Sequence, residues 1–227
     1  MLSNLHLRRL GILEKYYSVN TDTKIIDIGG GKGEFANLVC EKYNGTVHLL
    51  EPGGGRINNV MSGNIVKINR LLDSEFALEN SSTFDVVTAF HVLEHVIDPI
   101  QFVSNCFSMV KPGGLVYIEV PNQDDARQEL SKYYKDNIWY CQAHISYFSH
   151  ATLKYILDTL KIEKYEFGAF ERYDYENYIF WRDNNRPQPN CTYYKEEPTN
   201  VCTEERDWLN DRASNLTADS IYCIIRK

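Results

Sequence analysis

The residues Asp27-Ile28-Gly29-Gly30-Gly31-Lys32-Gly33 stand between a short apolar run and an amphipathic segment. Glycines lack a Cβ, so they let a backbone turn tightly and pass close to a ligand. A helix starting there presents unpaired N–H groups to the same space. Glu51 closes the next apolar run, eighteen residues beyond Gly33. A carboxylate at that place can accept both hydroxyls of a ribose, which suits an adenosine-containing ligand. The loop also satisfies a rival pattern, because Gly31-Lys32-Gly33-Glu34-Phe35-Ala36 reads as the dinucleotide fingerprint G-x-G-x-x-A. That fingerprint begins directly after a strand, whereas Gly29 and Gly30 intervene here. The spacing Asp-x-Gly-x-Gly-x-Gly accounts for Asp27 as well. A nicotinamide dinucleotide and a plain strand–helix turn are the alternatives. A second group, His91, Glu94, His95 and the distant His144, has the side-chain types of proton transfer.

These residues need elements to hold them. Ile25 to Ile28 reads as a buried strand, and Phe35, Leu38, Val39 and Tyr43 share one face of a helix that Asn44-Gly45 stops. Val47 to Glu51 and a weaker Ile65 to Ile68 are the second and third strands, and Phe84 to Phe90 is the fourth. Asp98-Pro99 supplies an N-cap and a first-turn proline for a helix carrying Ile100, Val103, Phe107 and Val110. Lys111-Pro112-Gly113-Gly114 breaks that helix, and Leu115 to Val120 is a fifth strand. Near-continuous apolar strands alternating with helices indicate a doubly wound α/β fold, with a mostly parallel sheet covered on both faces. Ser149 caps a helix with Leu153, Ile156, Leu157 and Leu160 in one stripe, and Ile162 to Phe170 and Ile221 to Arg226 bring the expected strands to seven.

The chain is expected to form a single domain over 1–227, with an N-terminal helix (1–20), a polar and aromatic cover segment (123–148) and a tyrosine-rich insertion between the last two strands (171–220). Its 227 residues suffice for a sizeable core without disulfides or metal. The 24 basic and 31 acidic side chains give a net charge of −7, with no basic stripe. That balance argues against nucleic acid and anionic membrane surfaces as partners. The six cysteines are scattered without zinc-ligand spacing, so reduced thiols and no metal site are expected. Leu2, Leu5, Arg9, Ile12, Leu13 and Tyr16 fall close to one helical face, but Arg8, Arg9, Glu14 and Lys15 interrupt any apolar run. The segment therefore reads as neither signal peptide nor membrane span, and a cytoplasmic protein is expected.

The segments Asp27 to Gly33, Glu51, Phe84-Asp85-Val86-Val87, His91-Val92-Leu93-Glu94-His95 and Lys111-Pro112-Gly113-Gly114 together resemble class I S-adenosylmethionine-dependent methyltransferases. Leu93-Glu94-His95-Val96-Ile97-Asp98-Pro99 and His144-Ile145-Ser146-Tyr147-Phe148-Ser149 are similar to a bacterial branch, many of whose members act in surface-polysaccharide and sugar-nucleotide pathways. The resemblance implies a sheet of order 3-2-1-4-5-7-6 ending in an antiparallel hairpin. It implies that Asp27, Gly29, Gly30, Gly31 and Gly33 surround the methionine part of the donor. Glu51, followed by Pro52, would hold the ribose, and Phe90-His91 would lie near the sulfonium or amino-acid group. S-adenosylhomocysteine would be the product. Two departures stand out: Pro52-Gly53-Gly54-Gly55 follows Glu51, and the third-strand region lacks an acid for the adenine amine, leaving Asn69 or Arg70 as substitutes.

Methylation of an alcohol needs an aligned acceptor, excluded water and a group to take the proton. His144 is the favoured base because His91 and His95 lie so close to the donor turn, and His91 is second. Glu94 can orient an imidazole, whereas His95 can instead serve only the turn before Asp98. Glu94, His95, Asn122, Tyr147, Arg172 and Tyr173, with Arg127 and Trp181, are candidates for holding a polar acceptor, the two arginines through a phosphate, with packing or solvation as the plainer role of each. The leading expectation is O-methylation of a carbohydrate or nucleotide-activated sugar in capsule or lipopolysaccharide formation. The alternatives are methylation of a quinone-like or other small metabolite, N-methylation of an amino sugar, and a non-catalytic donor-binding protein.

Overall fold

The computed structural model describes residues 4–53, 64–130, 132–136, 142–189 and 202–227. Helix α1 (Asn4–Tyr16) precedes β1 (Ile25–Ile28), α2 (Glu34–Tyr43), β2 (Val47–Leu50) and β3 (Ile65–Ile68). Then follow α3 (Ser74–Glu79), β4 (Phe84–Phe90), α4 (Pro99–Met109) and β5 (Val110–Pro121). The last third contains α5 (His150–Thr159), β6 (Tyr165–Phe170), α6 (Tyr175–Asn184), α7 (Thr203–Ser214) and β7 (Ser220–Arg226). The seven strands form one sheet in the order β3-β2-β1-β4-β5-β7-β6. The pairs from β3 across to β5 are parallel, and β7 runs antiparallel to both β5 and β6. The expected fold and strand order are observed.

Successive strand residues point to opposite faces, so an all-apolar strand feeds two cores at once. Ile26, Val87, Val116 and Ile118 join Phe102 and Cys106 of α4 and Leu153, Ile156 and Leu157 of α5 on one face. Ile25, Val86, Leu115 and Tyr117 join Leu10 and Leu13 of α1 and Phe35, Leu38 and Val39 of α2 on the other. The helix boundaries follow local chemistry. Asp98 accepts the Gln101 N–H at 2.9 Å ahead of Pro99. Ser149 and Thr152 form a capping box, and Asn44 ends α2 in the left-handed conformation at φ 54°.

Several boundaries differ from expectation. β5 begins at Val110, because that residue already pairs with Phe84 before a register irregularity accommodates the Pro-Gly-Gly segment. α3 was not foreseen, and β6 starts at Tyr165 rather than Ile162. In the cover region the described residues hold only two short helical turns, Arg127–Leu130 and Lys132–Tyr134. The segment expected as an insertion carries α6 and α7. Among the described residues no helix is long and apolar enough to cross a membrane, and Cys40, Cys106, Cys202 and Cys223 are free thiols. Cys141 and Cys191 lie outside the described residues.

Candidate active site

The glycine loop leaves the carboxyl end of β1 and enters α2. Gly29, Gly31 and Gly33 have φ of +65°, +58° and +72°, the left-handed region that favours glycine. A side chain at Gly29 would sit 2.6 Å from Val92 Cγ2, and one at Gly30 would collide with Asp27 and Leu49. At Gly31 nothing lies within 4 Å of the place a Cβ would take. Gly29 and Gly30 thus answer to packing, and Gly31 opens onto a cleft. The cleft has a volume of about 330 Å³ and is bounded by the loop, Asp27, Phe35 and Phe90, with His6 and Arg9 contributed by α1. It sits where open α/β sheets bind ligands, outside the carboxyl ends of the strands.

Two carboxylates flank this loop. Asp27 is buried, and its Oδ1 accepts the Thr88 hydroxyl at 2.7 Å while Oδ2 has no hydrogen-bond partner. Burial pushes its pKa up to about 6, against the stabilising hydroxyl of Thr88. Glu51 accepts the Gly31 N–H at 3.0 Å on Oε2 and the Gly53 N–H at 3.1 Å on Oε1. Glu51 is therefore tied to the glycine turn itself, with lone pairs left that could accept a diol. A bare cradle at Gly31, an unpartnered buried acceptor at Asp27 and an anchored acid at Glu51 fit an adenosyl ligand with an amino-acid tail. Pro52 is exposed, and Gly54 and Gly55 lie outside the described residues. Asn69 is exposed. Arg70 is turned to Asp73, Glu75 and Glu79, and as a donor-only group it cannot accept from an adenine amine.

Arg9, which the sequence reading left without a role, crosses from α1 to this cleft. Its guanidinium meets both oxygens of Glu119 on β5, at 2.8 and 2.6 Å, and lies 4.5 Å from the centre of the Phe90 ring. Burial works against a charged Glu119, but Arg9 and then His91 hold its carboxyl well below the usual range. His91 follows Phe90 with a φ of +55°. Its N–H donates to the Glu119 carbonyl at 2.8 Å, and its Nε2 lies 2.9 Å from Glu119 Oε1. Glu119 thus orients the His91 ring through Nε2 alone, and His91 keeps its place as the second candidate base after His144. Both Arg9, in an apolar helix stripe, and Glu119, in an apolar strand, were legible as charges out of pattern.

Glu94, His95, His144 and Tyr147 come together beside His91. The Glu94 carbonyl accepts the Ile145 and Ser146 N–H groups at 2.8 and 3.2 Å, which clamps the His144 loop onto the turn after β4. Glu94 is 1 % exposed, and neither carboxylate oxygen has a hydrogen bond. His91 Nδ1 lies 3.3 Å from Glu94 Oε1 but off the hydrogen-bonding direction. His95 Nδ1 bonds the Ala143 carbonyl at 2.7 Å, so His95 holds more than its own turn. The His144 ring lies 5.0 Å from that of His95 and 5.6 Å from Tyr147. Burial lowers the His144 pKa, with Glu94 opposing and His95, His91 and Arg172 adding to the effect.

The other acceptor candidates are engaged elsewhere. Asn122 is buried and spends its amide on the Leu216 and Ala218 carbonyls, both at 2.7 Å. It fastens β5 to the entry of β7 and does not reach an acceptor. Arg127 is buried among Asp125, Glu171 and Asp219 at 3.2, 3.4 and 2.6 Å, so it is neither solvated nor facing a phosphate. Arg172 is half-buried and donates to Asp219 through its main-chain N–H and Nε, at 3.0 and 3.3 Å. Tyr173 lies beside both guanidiniums, 5.5 Å from that of Arg127 and 5.8 Å from that of Arg172. Trp181 packs edge-on to Tyr134 at 5.0 Å in a small core and is no stacking platform.

Comparison with known proteins bears on the family and the fold. Residues 7–160 match a family described as methyltransferase domain. Similar curated proteins include ubiquinone biosynthesis O-methyltransferases of Colwellia psychrerythraea, 34% identical over 107 residues, and of Pseudomonas fluorescens, 32% identical over 106. The matched parts are 45% and 44% of this chain and 43% and 45% of those proteins, so the chain spans less than half the length of the curated relatives it matches. A methyltransferase structure from Archaeoglobus fulgidus superposes over 98% of this chain and 93% of its own, at 22% identity and a TM-score of 0.63. A phosphoethanolamine N-methyltransferase from Haemonchus contortus, crystallised with S-adenosylmethionine, superposes over 97% of this chain and 52% of its own at a TM-score of 0.60 and 14% identity.

Proposed function

Since the chain belongs to the methyltransferase domain family, whose methyl donor is S-adenosylmethionine, we propose that it methylates a hydroxyl oxygen of a small acceptor. The donor supplies a methyl group on a sulfonium that leaves as a neutral thioether. Gly31 lets the donor's tail approach the backbone, Asp27 Oδ2 accepts from its ammonium, and Glu51 receives its ribose hydroxyls. The observation that carries this reading is Glu51 bonded to the Gly31 N–H in a cleft whose buried Asp27 oxygen lacks a donor.

The acceptor's proton needs a destination on the far side of the methyl group. The Glu94, His95 and His144 group stands next to the donor turn, and burial keeps the His144 ring toward its neutral, proton-accepting form. His144 therefore takes the hydroxyl proton, and the freed oxygen pair forms the new bond to carbon. His91 and Glu119 keep the turn before this group in place.

For the acceptor itself, the names of the curated relatives favour a phenolic, quinone-like molecule over the sugar expected from the sequence. The comparisons lend no support to a role in capsule formation. The test is incubation with labelled donor and a panel of catechols, other phenols and nucleotide sugars, with product masses read out. A methylated phenol is the expected product. Methylation of the sugars alone would overturn the acceptor class. Tight donor binding without S-adenosylhomocysteine release on any acceptor would favour a non-catalytic binder.

A further inference from the structure

We propose that Trp208 and Arg212 of α7 form a subsite for an oxyanion, a carboxylate or phosphate carried by the acceptor. The two side chains stand one helical turn apart and share a face of α7. That face meets Tyr175 and Tyr178 of α6, whose ring centres lie 5.3 and 5.1 Å from that of Trp208. The Arg212 guanidinium lies 5.3 Å from the centre of the Tyr178 ring and 6.0 Å from that of Trp208.

Both side chains carry donors that lack an acceptor. Arg212 Nε and Trp208 Nε1 are enclosed without a hydrogen bond, and neither group can accept one. An enclosed donor left unpaired is costly, so the cluster is short of a group that only accepts. Aromatic walls keep water from a guanidinium and strengthen any ion pair it makes. The neighbouring acids do not supply that pair. Asp211 takes the Asn215 amide at 2.8 Å. Asp125 and Asp219 are bound by Arg127 and Arg172. Burial keeps Glu171 mostly protonated at neutral pH, although the Arg212 charge acts on it. Among the described residues, none forms an ion pair with Arg212.

The cluster lies at the ligand edge of the sheet, on the side away from the donor cleft. β5 and β6 are both antiparallel to β7, so the carboxyl end of β6 opens on the same edge as that of β5. α6 starts soon after that end, where Asp174 accepts the Asn177 N–H at 2.9 Å. α7 returns to the edge. The Arg212 carbonyl accepts the Thr217 N–H at 2.9 Å, and the Leu216 and Ala218 carbonyls hold the amide of Asn122 just beyond β5. Arg172, beside the same acid cluster, is close enough for its charge to act on His144. Resting on the methyl-transfer reading, an acceptor whose hydroxyl meets His144 points its anionic group past Arg172 toward Arg212. α7 buries no residue completely, so it can shift onto an entering group without breaking a core.

The full chain should be titrated by calorimetry with benzoate, phenyl phosphate and uncharged benzyl alcohol, the first two separating carboxylate from phosphate. Binding of at least one anion, and not of the alcohol, is expected. Arg212→Gln and Trp208→Phe, checked for their fold by circular dichroism, should each weaken it about tenfold or more. No anion binding, or binding that survives both substitutions, would overturn the subsite. With labelled donor, 3,4-dihydroxybenzoate or 3,4-dihydroxyphenyl phosphate should show a KM about tenfold below that of catechol. Arg212→Gln should remove this difference and keep kcat. A difference that persists in the variant, or none in the parent, would overturn the subsite and leave methyl transfer standing. Substitution-sensitive anion binding in a chain that methylates nothing would sustain the subsite and sink the methyl-transfer reading instead.

Discussion

Arg9 on α1 and Glu119 on β5 form a buried two-pronged ion pair across 110 residues of sequence, with nitrogen–oxygen distances of 2.8 and 2.6 Å. The pair fastens the N-terminal helix over the cleft and, through Glu119, fixes the His91 ring. Removing one partner of a buried pair leaves the other charge unpaired, at a cost of about 3–5 kcal/mol. Arg9→Met is expected to lose stability on that scale in urea unfolding. The double variant Arg9→Met with Glu119→Gln should recover part of it. Strictly additive losses would show that the two groups are not coupled.

Glu51 accepts the backbone N–H groups of Gly31 and Gly53, and the proposed donor site gives it the ribose hydroxyls as well. Glu51→Ala should weaken S-adenosylmethionine binding about tenfold or more, the loss of a charge-assisted hydrogen bond. Calorimetry with the donor and with S-adenosylhomocysteine measures it. Unchanged affinity would remove Glu51 from the ribose.

The neighbouring glycines separate packing from binding. Gly30→Ala drives a methyl group into Asp27 and Leu49, so the expected result is a lower melting temperature together with weaker donor binding. Gly31→Ala meets nothing in the protein but keeps a φ of +58°, and should cost only about 1 kcal/mol of stability while obstructing the donor. Equal melting temperatures for the two variants would contradict this division.

Glu171 shares a buried cluster with Asp125, Asp219, Arg127 and Arg172, three acids against two guanidiniums. Burial, opposed by Arg127 and reinforced by the other acids, pushes its pKa up to about 8 from 4.5. Between those values the unfolded chain releases the proton that the folded chain keeps, so stability falls as pH rises across the interval. Glu171→Gln carries no such proton. Its melting temperature should drop less than the parent's between pH 5 and pH 8.5, and parallel profiles would refute the assignment.

Much of the architecture was legible because local chemistry and burial agree along the first two thirds of the chain. The mostly apolar runs at Ile25, Phe84 and Leu115, each interrupted by a single acid, have one stable fate, a strand covered on both faces, and Asp98-Pro99 and Ser149 cap helices by contacts within three residues. The glycine loop was readable for the same reason, since a strand-to-helix turn with three left-handed residues demands glycine wherever it occurs.

What the sequence determined by itself was thus the fold class, the glycine turn and the acid at the second strand's end, all set by short-range sterics and hydrophobic period. Tertiary structure alone decided the rest. Arg9 finds Glu119, His144 finds Glu94, and Arg127 is drawn into a buried acid cluster. Each of these pairings joins residues far apart in the chain, and a charge's partner is chosen by which surfaces the packed elements bring face to face. Asn122 makes the same point in reverse: its position promised a ligand contact, and the fold of the last strand claimed its amide instead.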